Sequence, residues 1–399
     1  MKLKSGVEIM ANNVFQFTAL RNAPARRIVP SRMRDARLAK GWNQSELASL
    51  IGISRQAVSA FEQGEKGPEA DTMLRIASTL DQSISYFVND DAPTFGETSV
   101  LFMRAFGAET KRRNLKCEVL GKWFVQTSRY FFDLIKFPDV SIPSRSPVSG
   151  DGRYSIDEIE DAAEACRLMW GLGLGPISNV LGLLENNGVI VCRSELQEED
   201  IEAFSFWNGS RPFVFLASRK DSAVRARFDA AHELGHLVLH RWIGPEELED
   251  PKTLKLIEAE ANRFAGAFLM PRQSFQNEIF TTRLDAFVDL KRRWKVAIQA
   301  MVYRCKNLGI FDDDQITNLY KQISFRKWRT KEPLDDQISM ETPKLLQRAA
   351  EIVLNSGKRM ADQIVNDLCL SAKTLSALIG LPVDLFKANG PADFIPSLK

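Results

Sequence analysis

The 399-residue sequence predicts a mainly α-helical chain of several domains with one small α+β core near its middle. Three observations lead there. The length is about two to three times that of a typical single domain. At 44% hydrophobic and 26% charged, the composition supplies enough apolar material for real cores and excludes the disordered and fibrous classes. Helical periodicity then dominates both sides of the one strand-rich stretch, where GVIVC at 188–192, FSFW and PFVFL near 204–216 read as strands.

No run approaches the roughly 18 apolar residues that a membrane span needs, and the opening MKLKSGVEIMANN has no apolar core of a leader. The chain is therefore read as cytoplasmic, without a membrane partner. Cys117, Cys166, Cys192, Cys305 and Cys369 stand singly, which argues against a disulfide framework and against a thiolate metal cluster. The net charge of +2 hides an asymmetry, since residues 21–68 carry nine Lys/Arg against four Asp/Glu. A local excess of this kind suits a polyanionic partner.

Taken in order, residues 1–30 hold Pro24 and Pro30 without a sustained period and are assigned as an arm. Residues 31–90 form a compact all-α unit of short amphipathic helices broken by glycines at 41, 52, 64 and 67. Residues 91–152 are a connector with a helix over 109–135 and a Pro/Ser/Gly-rich linker over 137–152, expected to be extended and accessible. Residues 153–275 contain the strands and open with the capping pattern Ser155-x-x-Glu158. A helical section covers 276–335, and an accessory helical region covers 336–399. Helices are expected at 284–308, 312–323, 343–355 and 358–381.

Within the first unit, Gln44 to Gly64 (QSELASLIGISRQAVSAFEQG) has helix-turn-helix grammar. Leu47 and Ala48 face inward, Gly52 allows the sharp turn, Ser54 caps the second helix, and Val58 with Phe61 closes the core. The second helix would present Arg55, Gln56 and Ser59 to a major groove, where Arg pairs with guanine edges and Gln with adenine edges. Gln44, by side chain or backbone N–H, and Arg32 are the candidate phosphate contacts. The segment resembles the lambda-repressor-like domain of Xre-family regulators, which implies a double-stranded DNA operator and a homodimer on a two-fold site. Ala60 departs from members with glutamine-rich recognition helices.

All three histidines lie in His232-Glu-Leu-Gly-His236-Leu-Val-Leu-His240. On a helix His232 and His236 fall one turn apart on one face and can converge on one metal ion. Glu233, about 100° further round, can take a proton from a water on that ion. A catalytic site needs a third ligand, and Glu258-Ala-Glu-Ala-Asn262 supplies Glu258, with Asn262 placed to receive the free N–H of a ligand histidine. Glu260 is the second choice. His240 is read as a polar residue near the helix end, too far along to join the ion. The strand RPFVFL could pair with an extended substrate by edge addition, and Arg225, Arg227 and Tyr303 are possible oxyanion donors.

The runs AEACRLMWGLGLGPISNVLGLLENNGVIV, RPFVFLASRKDSAVRARFDAAHELGHLVLH and EAEANRFAGAFLMP are similar to the ImmA/IrrE family of zinc metallopeptidases, from about Ser155 to Pro271. LKRRWKVAIQAMVYRCKNLGI resembles the helix-turn-helix-like section that follows the core in that family. The resemblance implies a zincin-like α+β core of gluzincin type and Zn2+ as cofactor, with Mn2+ as the other candidate ion. It also implies endopeptidase cleavage of a helix-turn-helix repressor, either a partner or the chain itself, in a gene switch. The competing reading is a transcription factor whose metal domain senses a ligand or metal without cutting.

Overall fold

The computed structural model describes residues 28–89, 108–147, 153–194, 203–217 and 222–387. Most of the expected arm, residues 1–27, lies outside them. The first unit contains α1 (Pro30–Ala39), α2 (Gln44–Ile51), α3 (Arg55–Gln63), α4 (Ala70–Leu80) and α5 (Ile84–Val88). Asn43 and Glu46 form a reciprocal capping box that starts α2, and Gly52 ends it at φ 69°. The Ser54 hydroxyl then accepts the Ala57 N–H to start α3. Leu47, Ile51, Val58, Ile76, Leu80 and Phe87 fill the centre. A buried two-pronged ion pair, Arg37 to Glu62 at 2.6 and 2.8 Å, ties α1 to α3.

Helix α6 (Ala108–Phe132) runs beside α1, with Trp123 edge-on to Tyr86 at 5.9 Å between ring centres. The chain beyond it differs from expectation. Residues 137–147 are irregular but held, because Ser141 N–H donates to Asn187 O (3.1 Å), Arg145 N–H to Val238 O (3.2 Å) and Trp170 Nε1 to Ser141 O (2.6 Å). Proline and serine predicted irregular backbone correctly. They did not reveal that other elements satisfy its hydrogen bonds.

Helices α7 (Ile156–Met169) and α8 (Val180–Asn186) lead into a three-stranded sheet of β1 (Ile190–Ser194), β2 (Ala203–Asn208) and β3 (Arg211–Ala217). The order is β1-β3-β2, with β1 parallel and β2 antiparallel to β3. RPFVFL is therefore the central strand, paired on both sides and closed to edge addition. The pleat sends Val191, Val214, Leu216 and Trp207 to one face, against α9 (Ala223–Leu239), α11 (Pro251–Leu269) and their neighbours. Short helix α10 (Pro245–Glu249) precedes α11, and α12 (Arg272–Gln276) follows it.

The expected helix over 284–308 is two, α13 (Leu284–Trp294) and α14 (Ile298–Asn307), broken at Lys295 with φ 52°. Glu332 starts the second from a distance, its carboxylate accepting the Ile298 and Gln299 N–H groups at 2.8 and 3.1 Å. No local residue could signal that cap. Helix α15 (Asp313–Phe325) completes this part, and residues 284–323 share one core with the sheet's inner face.

The last helices are α16 (Leu345–Asn355), α17 (Ala361–Leu368) and α18 (Ala372–Ile379), the last two being the expected 358–381 helix interrupted at Cys369 with φ 54°. They join α6 in covering the sheet's other face, where Phe204 stacks on Phe215 (5.0 Å) and Phe206 on Phe213 (5.3 Å). Buried Gln82 fastens the first unit to α18, accepting from Ser371 N at 2.9 Å and donating to Thr374 Oγ1 at 3.1 Å. Phe124 of α6 meets Phe213 and Phe215 edge-on at 5.3 and 5.9 Å and is fully buried. Phe124→Ala should cost about 3–5 kcal/mol. Urea unfolding of the two chains measures it, and a loss under about 1 kcal/mol contradicts a core shared across this face.

Candidate metal centre and helix-turn-helix surface

Helix α9 carries an apolar face of Ala230, Ala231, Leu234, Leu237 and Val238 into the core, which buries the helix along its length. His232, His236 and His240 share another face at successive turns, exposed by only 2, 1 and 0%. That face meets α11, which Asp250 starts by accepting the Lys252 and Thr253 N–H groups. The helices touch at Gly235, where a Cβ would lie 3.2 Å from both the Cα and the O of Ala261. A methyl group at 235 would press on this backbone and on the Phe264 ring, also 3.2 Å away.

This approach brings Glu258 to the histidines. His232 Nε2 and His236 Nε2 are 3.0 Å apart, and each is 3.4 Å from a Glu258 oxygen. Ligand atoms about 2.0–2.1 Å from a tetrahedral ion lie about 3.3 Å from each other, so the donor set fits one zinc-sized ion. Its chemistry fits as well. Two ring nitrogens and a carboxylate oxygen facing one point repel unless a proton or a cation stands between them. Burial raises the Glu258 carboxyl, but hydrogen bonds and charge from His232 and His236 outweigh it and hold the group well below the usual carboxylate range. Glu233 lies between the two histidines in sequence, 4% exposed, with its backbone O 3.4 Å from Ser205 Oγ of edge strand β2.

Asn262 Oδ1 is 3.1 Å from His232 Nδ1. His240 stands at the end of α9, as its C-cap, and outside the ligand set, as its place in the sequence implies; what that place does not show is its bonding. Its Nδ1 is 3.0 Å from His236 Nδ1, and its Nε2 is 2.9 Å from Glu260 Oε2. Burial pushes its pKa down to about 4, opposed by the hydrogen bond to Glu260, so the ring is neutral at pH 7. Glu260 is not in the ligand set; its other oxygen accepts the Tyr154 N–H at 3.2 Å. The i, i+4 spacing of His240 from His236 was the signal available in sequence.

Two of the three oxyanion candidates hold other partners. Arg227 is buried, donating to Ile177 O (2.6 Å) and pairing with Glu341, and Arg225 donates to Arg329 O (2.6 Å). Tyr303 is 44% exposed. A cavity of about 670 Å3 lined by Asn179, Arg227, Lys295 and Glu341 lies elsewhere, with none of the metal-set residues in its wall.

On the helix-turn-helix, Arg55 and Gln56 are exposed in the first turn of α3 and Ser59 is half-buried one turn on. Arg32 is not available to a phosphate. It is 8% exposed, donates to Tyr86 O at 3.1 Å and lies over the Tyr86 ring. The Gln44 side chain is also engaged, donating to Glu62 Oε2 at 3.0 Å, which leaves its backbone N–H as the phosphate candidate.

The structure thus holds a helix-turn-helix unit and a helical unit bearing a two-histidine, one-glutamate centre. Residues 33–87 match the helix-turn-helix family, and residues 184–306 match the family described as IrrE N-terminal-like domain. The chain joins these two domains. It is similar to the cryptic phage CTXphi transcriptional repressor RstR of Vibrio cholerae, 30% identical over 67 residues, 17% of this chain and 60% of that protein. It is also similar to the HTH-type transcriptional regulator ImmR of Bacillus subtilis, 28% identical over 71 residues, 18% of this chain and 56% of that one. A putative HTH-type transcriptional regulatory protein of Pyrococcus abyssi is 30% identical over 74 residues, 18% of this chain and 23% of its own length. The matches thus span from about a quarter to about two thirds of these relatives' length. Among the described residues no helix is long and apolar enough to cross a membrane.

Two substitutions test these placements. Gly235→Ala should weaken zinc binding by about tenfold despite the better helix propensity of Ala, because α9 and α11 must part; chelator competition reads this, and unchanged affinity rejects the contact as a constraint. Arg32→Ala should lower the thermal midpoint of the protein, through the lost contacts to Tyr86, while leaving the salt slope of DNA binding unchanged. A slope reduced by about one charge at unchanged stability would restore the phosphate role.

Proposed function

We propose that the protein is a DNA-binding transcription regulator whose second domain is a zinc-dependent endopeptidase acting on a helix-turn-helix repressor. The observation that carries this is the convergence of His232, His236 and Glu258 around one point, with Glu233 beside them, in a chain that also bears a helix-turn-helix. The relatives' names as a transcriptional repressor and a transcriptional regulator support the DNA half of the reading.

His232, His236 and Glu258 would hold the ion, with the Asn262 carbonyl orienting His232. Zinc is proposed and Mn2+ is the other candidate, since affinity order alone does not choose between metals in a cell. When bound, the ion would supply Lewis acidity to a scissile carbonyl and acidify a water. Glu233 would take that water's proton and pass it to the leaving amine, and its burial beside apolar residues would keep the transfer out of bulk solvent. An extended substrate would lie along β2, the edge strand nearest α9, rather than along β3.

Arg55, Gln56 and Ser59 would read bases of a double-stranded operator and the Gln44 backbone N–H would meet a phosphate, the chain binding as a homodimer because one small head buries too little surface alone. A separate repressor is favoured as the substrate over the chain itself, since the backbone of residues 137–147 is bonded to α8 and α9.

Incubating the zinc-loaded protein with a co-encoded repressor tests the peptidase half by mass spectrometry. Cutting should be seen, and Glu233→Gln should slow it on the order of 10²–10⁴-fold while metal content stays near one equivalent. Cleavage persisting in that variant would remove Glu233 from the chemistry, and a chain that binds metal and operator yet cuts neither repressor nor its own inactive copy would leave the sensor reading. For the DNA half, Arg55→Ala or Gln56→Ala should cost about 1–3 kcal/mol at one base position and relax preference there. A uniform loss across sequences would place both residues on phosphates instead.

A further inference from the structure

Beyond the three metal-facing groups, a second line of contacts runs away from the centre. From His236 Nδ1 it passes to His240 Nδ1 at 3.0 Å, from His240 Nε2 to Glu260 Oε2 at 2.9 Å, and from Glu260 Oε1 to the Tyr154 N–H at 3.2 Å. His240 is fully buried and Glu260 largely so. The hydrogen-bond directions follow from the ends. The Glu260 oxygens face two N–H groups, one of them the Tyr154 amide, so His240 donates from Nε2 and presents a lone pair at Nδ1. Two ring nitrogens 3.0 Å apart need one proton between them, and His236 must supply it from its own Nδ1. A neutral His236 then carries its lone pair on Nε2, the atom that faces His232 and Glu258 and that a metal would take.

We propose that His240 and Glu260 are positioning residues for the metal, with Glu260 fixing the His240 ring and His240 fixing both the orientation and the tautomer of His236. The inference rests on the metal-centre reading above and adds to it the residues that set how tightly the ion is held. The two ligand histidines are served differently. His232 leans on the neutral amide of Asn262, whereas His236 leans on an imidazole backed by a carboxylate, which makes its Nε2 the more basic donor. The residues come from two helices, so the line also depends on the same α9–α11 contact that delivers Glu258. Its outer end reaches Tyr154, whose hydroxyl lies 2.6 Å from Leu239 O and 2.7 Å from Arg145 O at the α9 end of the connector.

The test compares the full-length protein with His240→Phe and Glu260→Gln. Phenylalanine fills the buried space without an acceptor for His236, and glutamine keeps an acceptor for His240 but removes the charge. Zinc affinity, from competition with a chromogenic chelator, should fall about 10–100-fold in His240→Phe and by less in Glu260→Gln. In the metal-free proteins, imidazole ¹⁵N shifts should report His236 protonated on Nδ1 in the parent chain and redistributed toward Nε2 in His240→Phe. With only three histidines the spectrum is sparse enough to assign. A purely structural role would change thermal stability without moving that tautomer. If the parent chain binds zinc and His240→Phe binds it equally well with His236 unaltered, the relay is wrong and the metal centre stands. If the parent chain takes up no zinc, the metal reading fails and this inference fails with it.

Discussion

The architecture turns on how closely α9 and α11 approach. With hydrogen alone at position 235, the backbone of one helix rests on Ala261 of the other, and this short separation lets a single-carboxylate side chain on α11 reach two imidazoles on α9. The contact sits in the interior, where packing tolerates little adjustment, so the spacing is set by the core and not by the polar groups it aligns. The sheet's inner face presses on α9 from one side, and α7 and α14 brace α11 from others. Arg304 links the last two, its guanidinium held by Glu160 at 2.5 and 2.7 Å and by Met270 O at 3.0 Å. An ion pair this buried stabilises little in net terms, but removing one partner would leave a charge stranded in the core.

What could be read from the sequence was what is local in the chain. The helix-turn-helix was legible because its signals, a capping serine, a turn glycine and apolar residues at fixed offsets, act within about 20 residues. The histidine motif was legible because i, i+4 spacing fixes a shared face wherever the helix goes. The misreadings share the opposite property. Arg32 looked like a phosphate contact by charge, yet Tyr86, 54 residues away, gives it a carbonyl and a ring to pack on. His240 does lie at the helix end and outside the ligand set, but its bond to Glu260 on another helix is one that its own helix could not signal. The breaks at Lys295 and Cys369 and the central position of β3 likewise depend on partners remote in sequence.

Remote carboxylates also stitch the C-terminal helices to the metal-bearing part. Glu341 accepts the Val180 and Leu181 N–H groups at the start of α8, while Glu185, within α8, accepts those of Lys344 and Leu345 at the start of α16. Each segment thus begins the other's helix. Exchange of this kind satisfies otherwise orphaned N–H groups on both sides at once, and burial raises the Glu185 carboxyl even as those backbone bonds lower it.

The sheet is a party wall. One side belongs to the metal core, and the other, with its stacked phenylalanines, to a core that runs without interruption through α6 into the helix-turn-helix and is closed by α16 and α18. Both faces of this three-stranded partition are apolar, so baring either would expose a row of large hydrophobic side chains to water. The consequence concerns ancestry as much as mechanics. Genes that shuffle domains by recombination succeed where the joint is a solvated tether, and here the joint is a hydrophobic interior. Another DNA-reading head could take this place only by supplying its own counterparts of Tyr86 and Gln82 to the shared interior.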